Sequence, residues 1–154
     1  MKLFSREMTK DHAVEILNWR YSPPYEMYNE EASAEGVAEF LTYIAIVDQE
    51  DHLVGFYCTG QSAQVPKGHD FGVYQKACLD IGLGMKPELT GKGFGNEFLT
   101  FILDQLEADS LRLTVAKFNQ RAIRLYEAFG FKREDTFISR EIEFITMLRA
   151  GSRA

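Results

Sequence analysis

Residues 85–103, MKPELTGKGFGNEFLTFIL, place Gly91, Gly93 and Gly95 at alternate positions directly before a long apolar-periodic run. Glycine is the worst ordinary helix former, at roughly 1 kcal/mol relative to alanine, so three at the start of a helix need a reason. A strand that runs through glycines into a helix points several backbone N–H groups the same way. With the helix dipole behind them, they form a site for a phosphate. Glycine leaves no Cβ in the ligand's path, and Lys92 puts a positive charge inside the turn. The structural alternative is a tight turn with close helix–strand packing. Spacing narrows the choice of phosphate motif. A Walker A loop needs Ser or Thr after its lysine, and Gly93 stands there; a dinucleotide fingerprint needs glycine at 96, and Asn96 stands there.

A second constellation lies downstream. In NQRAIRLYEAFGF, residues 119–131, Asn119 can cap a helix that carries Ala122, Leu125, Tyr126 and Phe129 on one face, with Gly130 as its stop. Together, LGMKPELTGKGFGNEFL and NQRAIRLYEAFGF resemble the two signatures of the GNAT N-acetyltransferases, the acetyl-CoA-binding turn Q/R-x-x-G-x-G/A and N-x-x-A-x-x-x-Y-x-x-x-G-F, in that order. One departure stands out: the first turn position is Thr90 rather than Arg or Gln. That weakens one side-chain contact and leaves the backbone cradle; Thr90 can instead cap the helix.

The resemblance implies acetyl-CoA as co-substrate and no metal. Its diphosphate would lie on Thr90, Gly91, Lys92, Gly93, Phe94 and Gly95, and its pantetheine arm along Leu83, Gly84 and Met85, where the strand at 79–86 splays from that at 111–116. Asn119, Ala122 and Tyr126 would complete the cofactor side. Gly82 and Gly84 favour the same reading from the residues alone, because glycines inside a strand mark a bulge or the close approach of another chain.

Acetyl transfer to an amine needs a neutral amine, a stabilised oxyanion and a proton for the departing thiolate. A lysine-like amine with pKa about 10.4 is only about 0.04% neutral at pH 7, a penalty of roughly 4.6 kcal/mol, whereas an α-amino group near 8 loses only about 1.4 kcal/mol. Asp80, on the strand face opposite Leu79 and Ile81, is the first candidate base, or else a salt-bridged carboxylate; Glu26 is the second. By the resemblance, Tyr126 would donate to the sulfur; otherwise it is a core aromatic. Trp19, Tyr21, Tyr25 and Tyr28 cluster around Pro23-Pro24. They are candidate acceptor contacts, since aromatic faces suit a cation or an apolar group, or alternatively a small core that pins the loop.

The elements that must position these residues read as β-α-α-β-β-β-α-β-α-β-β. Residues 2–8 are a strand. Thr9 caps a helix over about 10–20 with Val14, Leu17 and Trp19 inward. A helix from Ser33 carries Val37, Phe40 and Leu41, and Gln49-Glu50-Asp51 joins two strands. The fold class is α/β (α+β): a single GNAT domain over 1–150 with a tail at 151–154, built on a mixed, mostly antiparallel twisted sheet flanked by about four helices.

At 154 residues with 45% hydrophobic and 26% charged side chains, the chain is long enough for one core. No apolar run approaches the roughly 20 residues of a membrane span, and the N-terminus lacks an apolar signal region, so a cytoplasmic protein without a membrane role is expected. Net charge is -6, which argues against nucleic acid and agrees with a cationic partner. Cys58 and Cys78 read as buried free thiols, and the three histidines lack metal spacing. The expected function is acetyl-CoA-dependent N-acetyl transfer to a small-molecule or peptide amine, in a monomer or homodimer. Direct attack in a ternary complex is expected, because neither cysteine has a paired histidine. The alternatives are another acyl group, an oxygen acceptor, or a non-catalytic acyl-CoA-binding module.

Overall fold

The structure is a computed structural model that describes residues 1–151. The elements are β1 (Leu3–Glu7), α1 (Lys10–Leu17), α2 (Ala34–Phe40), β2 (Ile44–Asp48), β3 (Leu53–Thr59), β4 (Leu79–Met85), α3 (Gly95–Asp104), β5 (Ser110–Ala116), α4 (Gln120–Ala128), β6 (Lys132–Ser139) and β7 (Ile142–Ala150). This is the order expected from the sequence. The expected tail at 151–154 lies outside the described residues except for Gly151.

The strands form one sheet in the order β1-β2-β3-β4-β5-β7-β6. The ladders β1/β2, β2/β3, β5/β7 and β6/β7 are antiparallel, and β4/β5 is parallel. The parallel ladder pairs Leu79–Ile81 with Leu111–Leu113. Both strands run on beyond it, β4 to Met85 and β5 to Ala116. By contacts the chain divides into two units, Met1–Cys58 with Leu83–Leu103, and Thr59–Gly82 with the residues from Asp104 on.

In the first unit, the core joins Ala13, Ile16, Leu17, Trp19, Phe40, Ala45, Val47 and Leu53. Thr9 starts α1 by accepting from the His12 N–H (3.0 Å), while His12 Nδ1 accepts from the Thr9 N–H (3.3 Å), a reciprocal cap that fixes the helix start. One inward position differs from the expected one. Val14 faces out at 39% exposure, and Ala13, Ile16 and Leu17 supply the buried stripe; the apolar Leu41, just past α2, is exposed at 43%. The helix also stops at Leu17, so Trp19 reaches the core from the turn beyond it. Ser33 caps α2 through the Gly36 N–H (2.9 Å). Gly55 lets α3 close on β3, because a Cβ there would strike the Phe98 ring and the Gly84 carbonyl.

In the second unit, Val73, Tyr74 and Phe137 form a smaller core backed by Val65 and Phe144. Asn119 caps α4, and Gly130, with φ of 92°, ends the turn after it. Cys58 is buried and Cys78 half-buried, and both are free thiols.

Candidate active site

In the first unit, β4 leads through a 3-10 turn at Pro87–Leu89 and the glycine turn into α3. Gly91 and Gly93 have φ of 72° and 85°, a left-handed backbone that L side chains adopt at a cost of about 1–2 kcal/mol. A Cβ on Gly93 would meet no protein atom within 4 Å, so the space over that residue is open. The turn delivers the first amides of α3, and the opening N–H groups of a helix have no partner inside it. Lys92 is exposed beside them. Thr90 does not cap α3. Its hydroxyl donates to the Pro87 carbonyl (2.7 Å), as does its N–H (3.1 Å), closing the 3-10 turn five residues before the helix.

Gly84 meets one need inside the protein itself. A Cβ there would run into the Phe56 ring, which stacks on Trp19 (centroids 6.2 Å apart) and Tyr43 (5.8 Å). Within this unit the missing side chain therefore makes room for Phe56. Trp19 is a core residue at 7% exposure, and its indole N–H has no hydrogen-bond partner among the described residues. Tyr21 donates its hydroxyl to the Met85 carbonyl (2.7 Å) and meets Tyr28 edge-on at 6.2 Å. Tyr25 is half-buried, and Glu26 is exposed at the start of a 3-10 turn over Glu26–Tyr28.

In the second unit, Asp80 is 4% exposed and opposite Arg112 in the parallel ladder. Arg112 donates from Nε to Oδ1 (2.7 Å) and from Nη2 to Oδ2 (2.8 Å), and Gln64 Nε2 adds a third bond to Oδ2 (2.8 Å). The bidentate fork is the strongest common form of ion pair. The Asp80 hydrogen bond is also the main reason the Arg112 guanidinium is held above its usual pKa. Arg112 Nη1 donates to the Lys76 carbonyl (2.9 Å), and the guanidinium lies 5.0 Å from the Tyr74 ring centre. Of the two roles open to Asp80, the structure places it in the ion pair.

Arg112 and Gln64 are the residues that sequence reading missed. The available signal was a pair of matching triples, Leu-Asp-Ile at 79–81 and Leu-Arg-Leu at 111–113, each with a lone charge in an apolar strand. On α4, Asn119 Oδ1 accepts from the Ala122 N–H (3.1 Å), so that amide is engaged in the cap. Tyr126 is 8% exposed, with its ring edge-on to Phe131 at 6.2 Å.

The sequence model of the acetyltransferase (GNAT) family matches residues 11–131, most of the chain. The chain belongs to the GNAT acetyltransferase family. It is thus an acyltransferase of a family that uses acetyl-CoA. A search of curated proteins finds no match. Among solved structures, a chimera of spermidine N-acetyltransferase SpeG from Vibrio cholerae and hSSAT is similar at 21% identity and a TM-score of 0.73, over 97% of this chain and 96% of that one. The aminoglycoside acetyltransferase AAC(6')-Ib in complex with coenzyme A is similar at 16% identity and 0.71, over 97% and 95%. These likenesses support the GNAT fold. The left-handed glycines and the open space over Gly93 fit a bound diphosphate; the Asp80 pair does not fit a free base. Among the described residues no His, Cys, Asp and Glu cluster could hold a metal, and no helix is long and apolar enough to cross a membrane.

Proposed function

We propose that this GNAT acetyltransferase, as one domain over residues 1–150, moves an acetyl group from acetyl-CoA to a primary amine by direct attack in a ternary complex. The observation that carries the reading is the turn into α3: two left-handed glycines, bare backbone and open space over Gly93. Bound acetyl-CoA would supply the activated thioester. The amides of Thr90–Gly95 would hold its diphosphate, with Lys92 beside them, because these N–H groups and the helix dipole favour an anion. The backbone of Leu83, Gly84 and Met85 would face the arm's amides, and Asn119 and Ala122 would border it from the start of α4.

Tyr126 would protonate or hydrogen-bond the departing sulfur. A phenol with pKa about 10 is a somewhat weaker acid than a thiol at about 8.5, so full transfer runs uphill by only about 2 kcal/mol. Asp80 is given no part in the proton step, since protonating it would remove the counter-charge of the buried Arg112 guanidinium that both its oxygens hold. Glu26, exposed on the loop that follows α1, is the remaining carboxylate candidate. An acceptor with an α-amino group, pKa near 8, could react without a base at a penalty of only about 1.4 kcal/mol. Tyr25 and Tyr28 would line the acceptor side, with Trp19 behind them as packing.

An amine acceptor is supported by the net charge of -6, by the spermidine N-acetyltransferase among the similar structures, and by AAC(6')-Ib in complex with ribostamycin and coenzyme A, similar at 15% identity and a TM-score of 0.69 over 97% and 94% of the chains. The test is thiol release from acetyl-CoA against a panel of spermidine, ribostamycin, lysine side chains and peptide N-termini, alongside calorimetry with coenzyme A. Turnover of at least one amine is expected. Binding of coenzyme A with no thiol release on any amine would refute amine transfer and favour a binding module.

A further inference from the structure

The segment after α1 is built as a closed loop. Arg20 Nη1 donates to the Leu17 and Trp19 carbonyls (3.0 and 2.6 Å), holding the exit from the helix. The Asn29 side chain then reaches back to Tyr21: Oδ1 accepts from the Tyr21 N–H (2.6 Å), and Nδ2 donates to the Tyr21 carbonyl (3.4 Å). Inside the ring, successive turns run Tyr25 N–H to Ser22, Tyr28 N–H to Tyr25 and Asn29 N–H to Glu26, at 2.9, 3.0 and 3.0 Å. Residues 21–29 are thus a self-bonded body that presents Glu26 at its surface. The body is joined to β4 by the Tyr21 hydroxyl, which donates to the carbonyl of Met85, the strand's last residue.

We propose that Tyr21 is a positioning residue: its hydroxyl fixes the 21–29 loop against the end of β4 and so sets where the amine acceptor is held. This rests on the transferase reading above. Three features carry it. The hydroxyl proton is committed to Met85, so Tyr21 does not offer it to substrate. The loop is cross-linked at Tyr21 itself, so motion about that residue moves Tyr25, Glu26 and Tyr28 together. Met85 lies on the strand that would hold the arm of acetyl-CoA, so the bond registers the acceptor loop on the backbone that holds the donor. A carbonyl has two lone pairs, and the Tyr21 bond therefore leaves Met85 able to accept from the arm as well.

The test compares wild type, Tyr21→Phe and Asn29→Ala, each as the full chain. The first removes one oxygen and keeps the ring, and the second opens the loop without touching Met85. Amide hydrogen exchange should rise at least tenfold across 21–29 in both variants, with α1, α3 and β4 unchanged. With the amine that the wild type acetylates in the panel, acceptor KM should rise about fivefold or more. The kcat and the coenzyme A dissociation constant should stay within about twofold, which is how loss of acceptor placement alone reads. Unchanged exchange overturns the proposal, as does faster exchange with an unchanged acceptor KM. A fall in kcat at constant KM, or coenzyme A binding weakened tenfold, would move Tyr21 to the chemistry or to the cofactor and overturn it too. A wild type that fails to bind coenzyme A or to acetylate any amine would overturn the transferase reading itself, and this role with it.

Discussion

Asp80→Asn is the substitution for which the structure and the chemistry of acyl transfer give opposing outcomes. Asn keeps the shape of Asp80 and removes its charge. Arg112, with a side chain only 2% exposed, would then be a buried cation facing one carbonyl oxygen and one amide NH2. That NH2 would meet donors from Arg112 or Gln64 where a carboxylate oxygen now accepts from both. Breaking a buried pair by neutralising one partner costs about 3–5 kcal/mol. At about 2–4 °C per kcal/mol for a chain of this size, the melting temperature should fall by about 6–20 °C in scanning calorimetry. The paired replacement Asp80→Leu with Arg112→Met should recover most of that loss, because apolar substitutes for a buried pair are often neutral or stabilising. Activity per folded molecule, measured well below the lowered melting temperature, should change little with pH relative to wild type. The reasoning would be refuted by a variant that keeps its melting temperature within about 2 °C and loses kcat/KM most at low pH, where the amine is protonated. That pair of results would make Asp80 a base and Arg112 a bystander.

Gly93→Val should weaken coenzyme A at least tenfold, about 1.4 kcal/mol, by calorimetry. A Cβ there would meet no protein atom within 4 Å, so the loss is expected from the left-handed turn and the ligand's side of it; unchanged affinity with an intact circular dichroism spectrum would remove the cradle assignment. Tyr126→Phe should lower kcat by about ten- to a thousandfold with little change in coenzyme A affinity; lost stability with kcat intact would leave Tyr126 a packing residue. Burial first, then the Glu39 charge, raises the Glu30 pKa in the fold above its ordinary 4.5. Its contribution to stability is therefore fully present below the unfolded value and lost as pH rises through the folded one. Glu30→Gln should accordingly melt higher than wild type at neutral pH, with the gain vanishing below about pH 4; a gain that persists at low pH would exclude this cause.

What could be read from the sequence, and what could not, divides by sequence separation. Thr9, Ser33, Asn119 and Gly130 are end signals that act within four residues, and each stands where the structure begins or ends a helix. The turn glycines are equally local, since a left-handed φ is a demand made by one residue on its own backbone. The phase of α1 was harder. Its stripe is short, and Val14 is as apolar as Ile16, so only the sheet beneath decides that Ala13 and Ile16 go in. The contacts that assign roles are the distant ones: Asp80 to Arg112 is 32 residues, and Tyr21 to Met85 is 64. Periodicity says that Asp80 lies on one strand face and that Tyr21 lies in an aromatic loop. It does not say that a guanidinium fills the first environment or a carbonyl the second.

Gly84 shows the same limit from the other side. A glycine in a strand signals that something comes close, and only the fold reveals that the Phe56 ring, 28 positions away, is one such neighbour. A residue type thus states a requirement, for a charge partner, an acceptor or bare space, and the fold decides what meets it. For Asp80 the partner is Arg112, which sets that carboxylate apart from the proton chemistry, while the glycine turn keeps the bare backbone that suits a phosphate.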